Sequence, residues 1–140
     1  MQYGHFIGGR WLDSEETIPV YHKFTGEEYA RVGKGTREIV TRAVTCARET
    51  FENHRLSEQE RYEILMRAVD LFRKRRDELA EILICEAGKV VKDDYAEVDR
   101  GIQTFLASAE EAKRIGGEVV PLGLDRGENR VAFTIRVPVG

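Results

Sequence analysis

Three pairs of adjacent acids are the first residues in this chain that could move protons: Glu15-Glu16, Asp93-Asp94 and Glu110-Glu111. A shared acid–base role needs two carboxyls aimed at one point. Neighbours on a helix do not face each other, and all three pairs fall on positions expected to be exposed. Cys46 and Cys85 stand far apart, with no C-x-x-C pair and no histidine at ligand spacing. Both sit among helical apolar positions, which reads as small reduced core thiols rather than a disulfide or a metal site. His5, His22 and His54 are equally scattered and form no metal set. Neither the G-x-G-x-x-G fingerprint nor the P-loop G-x-x-x-x-G-K-S/T is present, and G-x-S-x-G and H-E-x-x-H are also missing. The residues alone therefore point to an α+β domain without a recognisable active site.

Charge and composition narrow the classes further. The net charge is −3, from 22 basic and 25 acidic residues that are well interspersed. Nucleic-acid binding favours concentrated positive charge instead. The densest basic run, Arg73-Lys74-Arg75-Arg76, is followed at once by Asp77, Glu78 and Glu81, and reads as a solvated helix surface. Apolar residues at 41% and charged residues at 34% suit a folded globular chain. The apolar runs are only a few residues long, against the ~20 that a membrane span requires. The opening Met1-Gln2-Tyr3-Gly4-His5-Phe6 has no basic start followed by an apolar stretch, so no secretory signal is expected and the cytoplasm is the default.

The elements that must position any site follow from spacing. Gly8-Gly9 between Phe6-Ile7 and Arg10-Trp11-Leu12 predicts a tight hairpin. Thr17 to Tyr21 and Tyr29 to Val32 read as extended, around a Thr25-Gly26-Glu27 turn. Thr36 is placed as the N-cap of a helix through Ile39, Val40, Ala43, Val44, Ala47 and Phe51, ending at Asn53-His54. Ser57 to Glu60 forms a capping box before Ile64, Leu65, Ala68, Leu71 and Phe72. A shorter helix is expected from Asp77 to near Gly88, a natural left-handed cap. The last helix is expected over Lys92 to Ile115, with Gly101 inside it and Gly116-Gly117 as its stop. After a loose loop over Gly123 to Asn129, Val131, Phe133, Ile135 and Val137 alternate with Ala132, Thr134 and Arg136, which predicts a half-buried strand with its partner elsewhere.

Several short motifs, in this order, resemble the N-terminal part of the aldehyde dehydrogenase superfamily. Phe6-Ile7-Gly8-Gly9-Arg10-Trp11 resembles the family's opening F-I-N-G-E-W. Thr25-Gly26-Glu27 with Ala30-Arg31-Val32 resembles P-A-T-G-E-x-I-A-x-V, and Leu56-Ser57 through Glu60-Arg61 to Ile64-Leu65 resembles L-S-x-x-E-R-x-x-I-L. Arg75-Arg76-Asp77-Glu78-Leu79-Ala80 and Glu86-Ala87-Gly88-Lys89 look like R-R-D-E-L-A and E-T-G-K. Gly117 to Pro121 resembles G-E-x-x-P, and Arg136 to Gly140 resembles R-E-P-V-G. The resemblance covers nearly the whole chain. It departs at His22-Lys23-Phe24, where Asn-Pro is usual, at Ala87 in place of threonine and at Val137 in place of glutamate.

The resemblance implies an enzyme that oxidises an aldehyde to a carboxylate or an acyl thioester with NAD or NADP. In that family a cysteine attacks the aldehyde, an asparagine and a backbone amide hold the oxyanion, and a glutamate activates water. Those groups and the cofactor contacts are expected after Gly140, so no residue of this segment is expected to be catalytic or to bind the cofactor, and Cys46 and Cys85 are not matched to the nucleophile. Residues 1–140 would form the N-terminal part of the cofactor-binding domain, an α+β segment of an α/β fold. Arg130 to Val137 would supply an oligomerisation strand to a homo-oligomer. Some members hold a monovalent cation at the acid of the E-T-G-K motif, which here implies Glu86 with main-chain carbonyls of Val20 or Tyr21. A local capping or pairing role for Glu86 is the alternative. Three roles stay open: part of a working dehydrogenase, a truncated inactive module that associates with other chains, or an excised fragment. In the isolated segment, apolar stripes are expected to be exposed.

Overall fold

Gly8 and Gly9 take φ of 60° and 76°, the left-handed pair that a two-residue hairpin favours. They join β2 (His5–Ile7) to β3 (Arg10–Leu12) in antiparallel register, with Phe6 opposite Trp11. The computed structural model describes residues 1–123 and 130–137. A separate three-stranded sheet has the order β1 (Gln2–Tyr3), β5 (Glu28–Gly33), β4 (Thr17–Tyr21). In it β1 runs parallel to β5, and β4 antiparallel. The β4–β5 ladder pairs Val20 with Ala30 and then Tyr21 with Glu28. Tyr29 is thus the extra residue of a bulge, a device that bends a strand and re-aims a side chain.

Two helix starts match their expected caps. The Thr36 hydroxyl accepts the Ile39 N–H at 3.3 Å and opens α1 (Arg37–Asn53). Ser57 and Glu60 exchange hydrogen bonds at the start of α2 (Glu58–Lys74), satisfying each other's free donors. The next helix, α3 (Arg76–Ala87), starts one residue before Asp77 and is closed by Gly88 at φ 67°. The longest, α4 (Val91–Ala112), starts one residue before Lys92 and stops short of Ile115. Its end tightens because the Arg114 N–H bonds back only three residues, to the Glu111 carbonyl.

The core lies between α2, α3 and α4. Val69, Ala80, Val98 and Ile102 are buried there, with Phe72, Leu79, Leu83, Tyr95, Phe105 and Leu106 packed around them. The Phe72 and Phe105 rings stand 5.0 Å apart. Gly101 faces Phe72, and a Cβ added there would lie 3.8 Å from the ring, an ordinary contact. Helix α1 buries no residue fully. Its Ile39, Ala43 and Cys46 are half-buried, while Val40, Val44 and Phe51 are exposed. The expected bare apolar stripe is present there.

Two expectations need correction. Asp94 was expected on the surface, but it is completely buried, and neither carboxylate oxygen has a hydrogen-bond partner among the described residues. The reason is helical phase: Asp94, Val98 and Ile102 recur every four residues and share the core face. The strand expected over Arg130 to Val137 is also shorter and the other way round. Only β7 (Ala132–Phe133) pairs, antiparallel to β6 (Val119–Val120), and the Thr134 N–H extends the contact to the Glu118 carbonyl at 2.9 Å. The apolar positions Val131, Phe133, Ile135 and Val137 are 62 to 83% exposed, whereas Ala132 is half-buried. Nothing in the described chain covers the apolar face. The loop expected over Gly123 to Asn129 lies, beyond Gly123, outside the described residues, as do Pro138, Val139 and Gly140.

Candidate functional site

The cation site expected from the motifs would sit where the β4–β5 connection meets the end of α3. Several local features build this junction. The Lys23 N–H donates to the Cys85 carbonyl at 2.9 Å, which brings the chain after β4 onto the last turn of α3. Gly88 must be glycine on two counts: its φ is left-handed, and an added Cβ would stand 2.8 Å from the Lys23 Cβ. The bulged Tyr29 leans toward the same helix end. Its phenol is raised above the ordinary tyrosine value, first by burial and then by the negative charge of Cys85, Glu81 and Glu86.

The Lys23–Cys85 bond places the chain that follows β4 one residue from Glu86 in sequence. Glu86 itself is exposed and Val20 is half-buried. Among the described residues there is no group of three or more His, Cys, Asp or Glu side chains that could hold a metal ion. The cysteines stay apart: Cys85 is buried in α3, and half-buried Cys46 faces the hairpin, where a Cβ on Gly8 would come within 3.1 Å of its sulfur.

A dinucleotide needs donors for its pyrophosphate, usually a free helix N-terminus. In α1 and α2 the cap side chains of Thr36 and Ser57 each accept one first-turn N–H. The first turns of α3 and α4 carry Asp77 and Glu78, and Asp93 and Asp94, whose charge opposes an anion.

Two residues take positions that no motif marks. Asp94 was findable from its four-residue offset to Val98. His22, taken as a scattered histidine, has its Nδ1 turned onto the main-chain N–H groups of Phe24 and Thr25. No spacing rule signals that contact.

An α+β arrangement whose motifs fall at the caps and junctions just described defines the class of protein. Residues 11–140 match the aldehyde dehydrogenase family, and the chain belongs to that family. A 3-sulfolactaldehyde dehydrogenase from Priestia aryabhattai is 44% identical over 140 residues, covering 99% of this chain and 29% of its own length. The fold also matches aldehyde dehydrogenase 21 from Physcomitrella patens, solved with its reaction product succinate. That match has a TM-score of 0.83 and 30% identity over 91% of this chain and 27% of the other. A betaine aldehyde dehydrogenase from Staphylococcus aureus in complex with NAD+ gives a TM-score of 0.78 and 26% identity, over 85% of this chain and 25% of that one. The chain thus spans less than a third of the relatives it matches. No described helix is long and apolar enough to cross a membrane.

Proposed function

We propose that residues 1–140 are the N-terminal part of the cofactor-binding domain of a cytoplasmic, NAD(P)-dependent aldehyde dehydrogenase. The complete enzyme oxidises an aldehyde to a carboxylate or an acyl thioester, passing hydride to NAD or NADP. These residues supply scaffold rather than the nucleophile, the base or the cofactor contacts. The observation that carries the reading is the family match along residues 11–140. The test offers 3-sulfolactaldehyde and betaine aldehyde to the complete gene product with NAD+ or NADP+ and follows the absorbance of the reduced nicotinamide. Reduction with any combination supports the proposal. A folded protein that reduces neither cofactor and binds neither would defeat it. The 140-residue chain alone is expected to be inactive in the same assay.

The segment Arg130 to Val137 is the contact of a homo-oligomer in this reading. Support comes from the exposed Val131, Phe133, Ile135 and Val137 beside a short two-stranded ladder, an apolar edge of the kind that seeks a partner. Charged substitutions Phe133→Lys and Ile135→Lys are expected to lower the assembly state in sedimentation. An unchanged assembly would place the contact elsewhere. The same exposed edge favours a second reading, an inactive module that acts by associating with other chains, in which the 140-residue chain would co-sediment with a complete homologue.

Glu86, with carbonyls of Val20 or Tyr21, is the monovalent-cation site of the proposal. It is supported by the approach of Lys23 to Cys85, which carries β4 to the same helix end. Potassium or sodium in place of choline, at constant ionic strength, should raise the melting temperature through binding to the native state. Glu86→Gln should abolish the difference.

A further inference from the structure

Six consecutive amides between β4 and β5 all find acceptors. The His22 N–H donates to the Glu27 carbonyl at 2.9 Å, and the Gly26 N–H to the His22 carbonyl at 2.8 Å. The Glu27 N–H donates to the Thr25 hydroxyl at 3.3 Å. Phe24 and Thr25 both donate to His22 Nδ1, at 3.2 and 3.3 Å. The sixth amide, Lys23, points out of the turn to the Cys85 carbonyl of α3. Among the described residues, that bond is the one hydrogen bond joining residues 1–35 to the helices. Every other one in that part of the chain stays within it.

An imidazole nitrogen that accepts two N–H donors carries no proton of its own. The proton of the neutral ring is therefore on Nε2, and a ring protonated on Nδ1 would set a third donor against two. The half-buried ring is steadied by Tyr29, which meets it edge-on at 6.5 Å. This is the arrangement by which aspartate and asparagine side chains fasten a turn two residues on, here built from histidine. His22 lies outside the group of residues packed on the core of α2, α3 and α4.

We propose that His22 is a conformational latch. Its Nδ1 fixes the turn in the one shape that aims Lys23 at Cys85, and so fastens the β4–β5 layer to the end of α3. Loss of that acceptor frees the layer while the helical core stays folded.

Two measurements test the latch in the complete chain. Long-range proton–nitrogen NMR of the imidazole should show Nδ1 without a proton in the neutral ring. Native-state amide exchange should quicken about tenfold at Lys23, Phe24 and Thr25 in His22→Ala, the loss expected for a modest hydrogen bond. His22→Asn, whose Oδ1 lies as many bonds from the backbone as Nδ1, should restore the original rates to within about twofold. Amides of Val69, Ala80 and Ile102 should keep their protection in every variant. The proposal is overturned by a proton on Nδ1, by unchanged exchange at Lys23 in His22→Ala, by failure of His22→Asn to restore it, or by loss of protection throughout α2 and α4.

Discussion

Arg76 at the start of α3 grips Asp99 on α4 with both arms: Nε donates to one carboxylate oxygen and a terminal nitrogen to the other, each at 2.6 Å. The same guanidinium lies over the Tyr95 ring, 4.7 Å from its centre. One side chain therefore joins the two helices by a planar fork and by stacking, a pairing that lysine cannot reproduce. The fork holds the Asp99 carboxyl below its ordinary value, chiefly through the hydrogen bonds from Arg76, which outweigh the opposing effect of desolvation.

The sign of the pH dependence follows. A carboxylate held low in the folded state contributes stability that is present above its unfolded value, near ~4, and lost as pH falls through the lowered one. Arg76→Lys should melt lower than the parent at neutral pH, and the gap should close in strong acid. Both side chains are partly exposed, so the effect should be modest and weaken in high salt. A gap that persists unchanged in acid would assign it to the stack on Tyr95 instead.

Asp94 should be a stability cost. A buried polar group left without partners costs about 1–3 kcal/mol or more, and among the described residues neither oxygen of this fully buried carboxylate has one. Asp94→Ala keeps helix propensity high and removes the group. Urea unfolding should show a gain of about 1–3 kcal/mol. A loss of stability would mean that the carboxylate has a partner in the native protein.

Gly101→Ala should also stabilise. Glycine inside a helix costs about 1 kcal/mol relative to alanine, and the added methyl would meet Phe72 at 3.8 Å without a clash. The urea midpoint should rise by an amount corresponding to about 1 kcal/mol with an unchanged slope. A fall would mean that α2 and α4 need a closer approach than this contact allows.

Ser57→Ala should weaken the start of α2 by about 1 kcal/mol, the usual value of a serine cap. The Glu60 carboxyl is held below its ordinary value, first by the Ser57 main-chain N–H and then by its hydroxyl. Its contribution is thus present above the ordinary glutamate range and is lost as pH falls through the lowered value. Alanine keeps the main-chain N–H that Glu60 accepts and loses only the hydroxyl that donates to the same carboxylate. The melting curves of parent and Ser57→Ala should therefore approach each other in acid, and a constant separation would show that the hydroxyl's bond to Glu60 adds nothing.

The sequence by itself determined the local order of this protein. Thr36, Ser57 with Glu60, and Gly88 mark helix ends by chemistry that acts over three or four residues, and Gly8-Gly9 closes a hairpin over two. Short motifs tied to those same turns and caps also carried the family. Which faces meet was decided only by the tertiary structure, because burial depends on what arrives from far along the chain. The alternation around Phe133 looks like a half-buried strand, yet no described element covers its apolar side. The acid pair Asp93-Asp94 looks like surface, yet the phase of α4 turns Asp94 into the core with Val98 and Ile102. The junction of Lys23 with Cys85 spans more than sixty residues, and His22 gains its role only because a turn folds two amides onto one ring nitrogen. Local patterns set by a few neighbours can be read from spacing, whereas a contact between distant segments exists only once packing has brought them together.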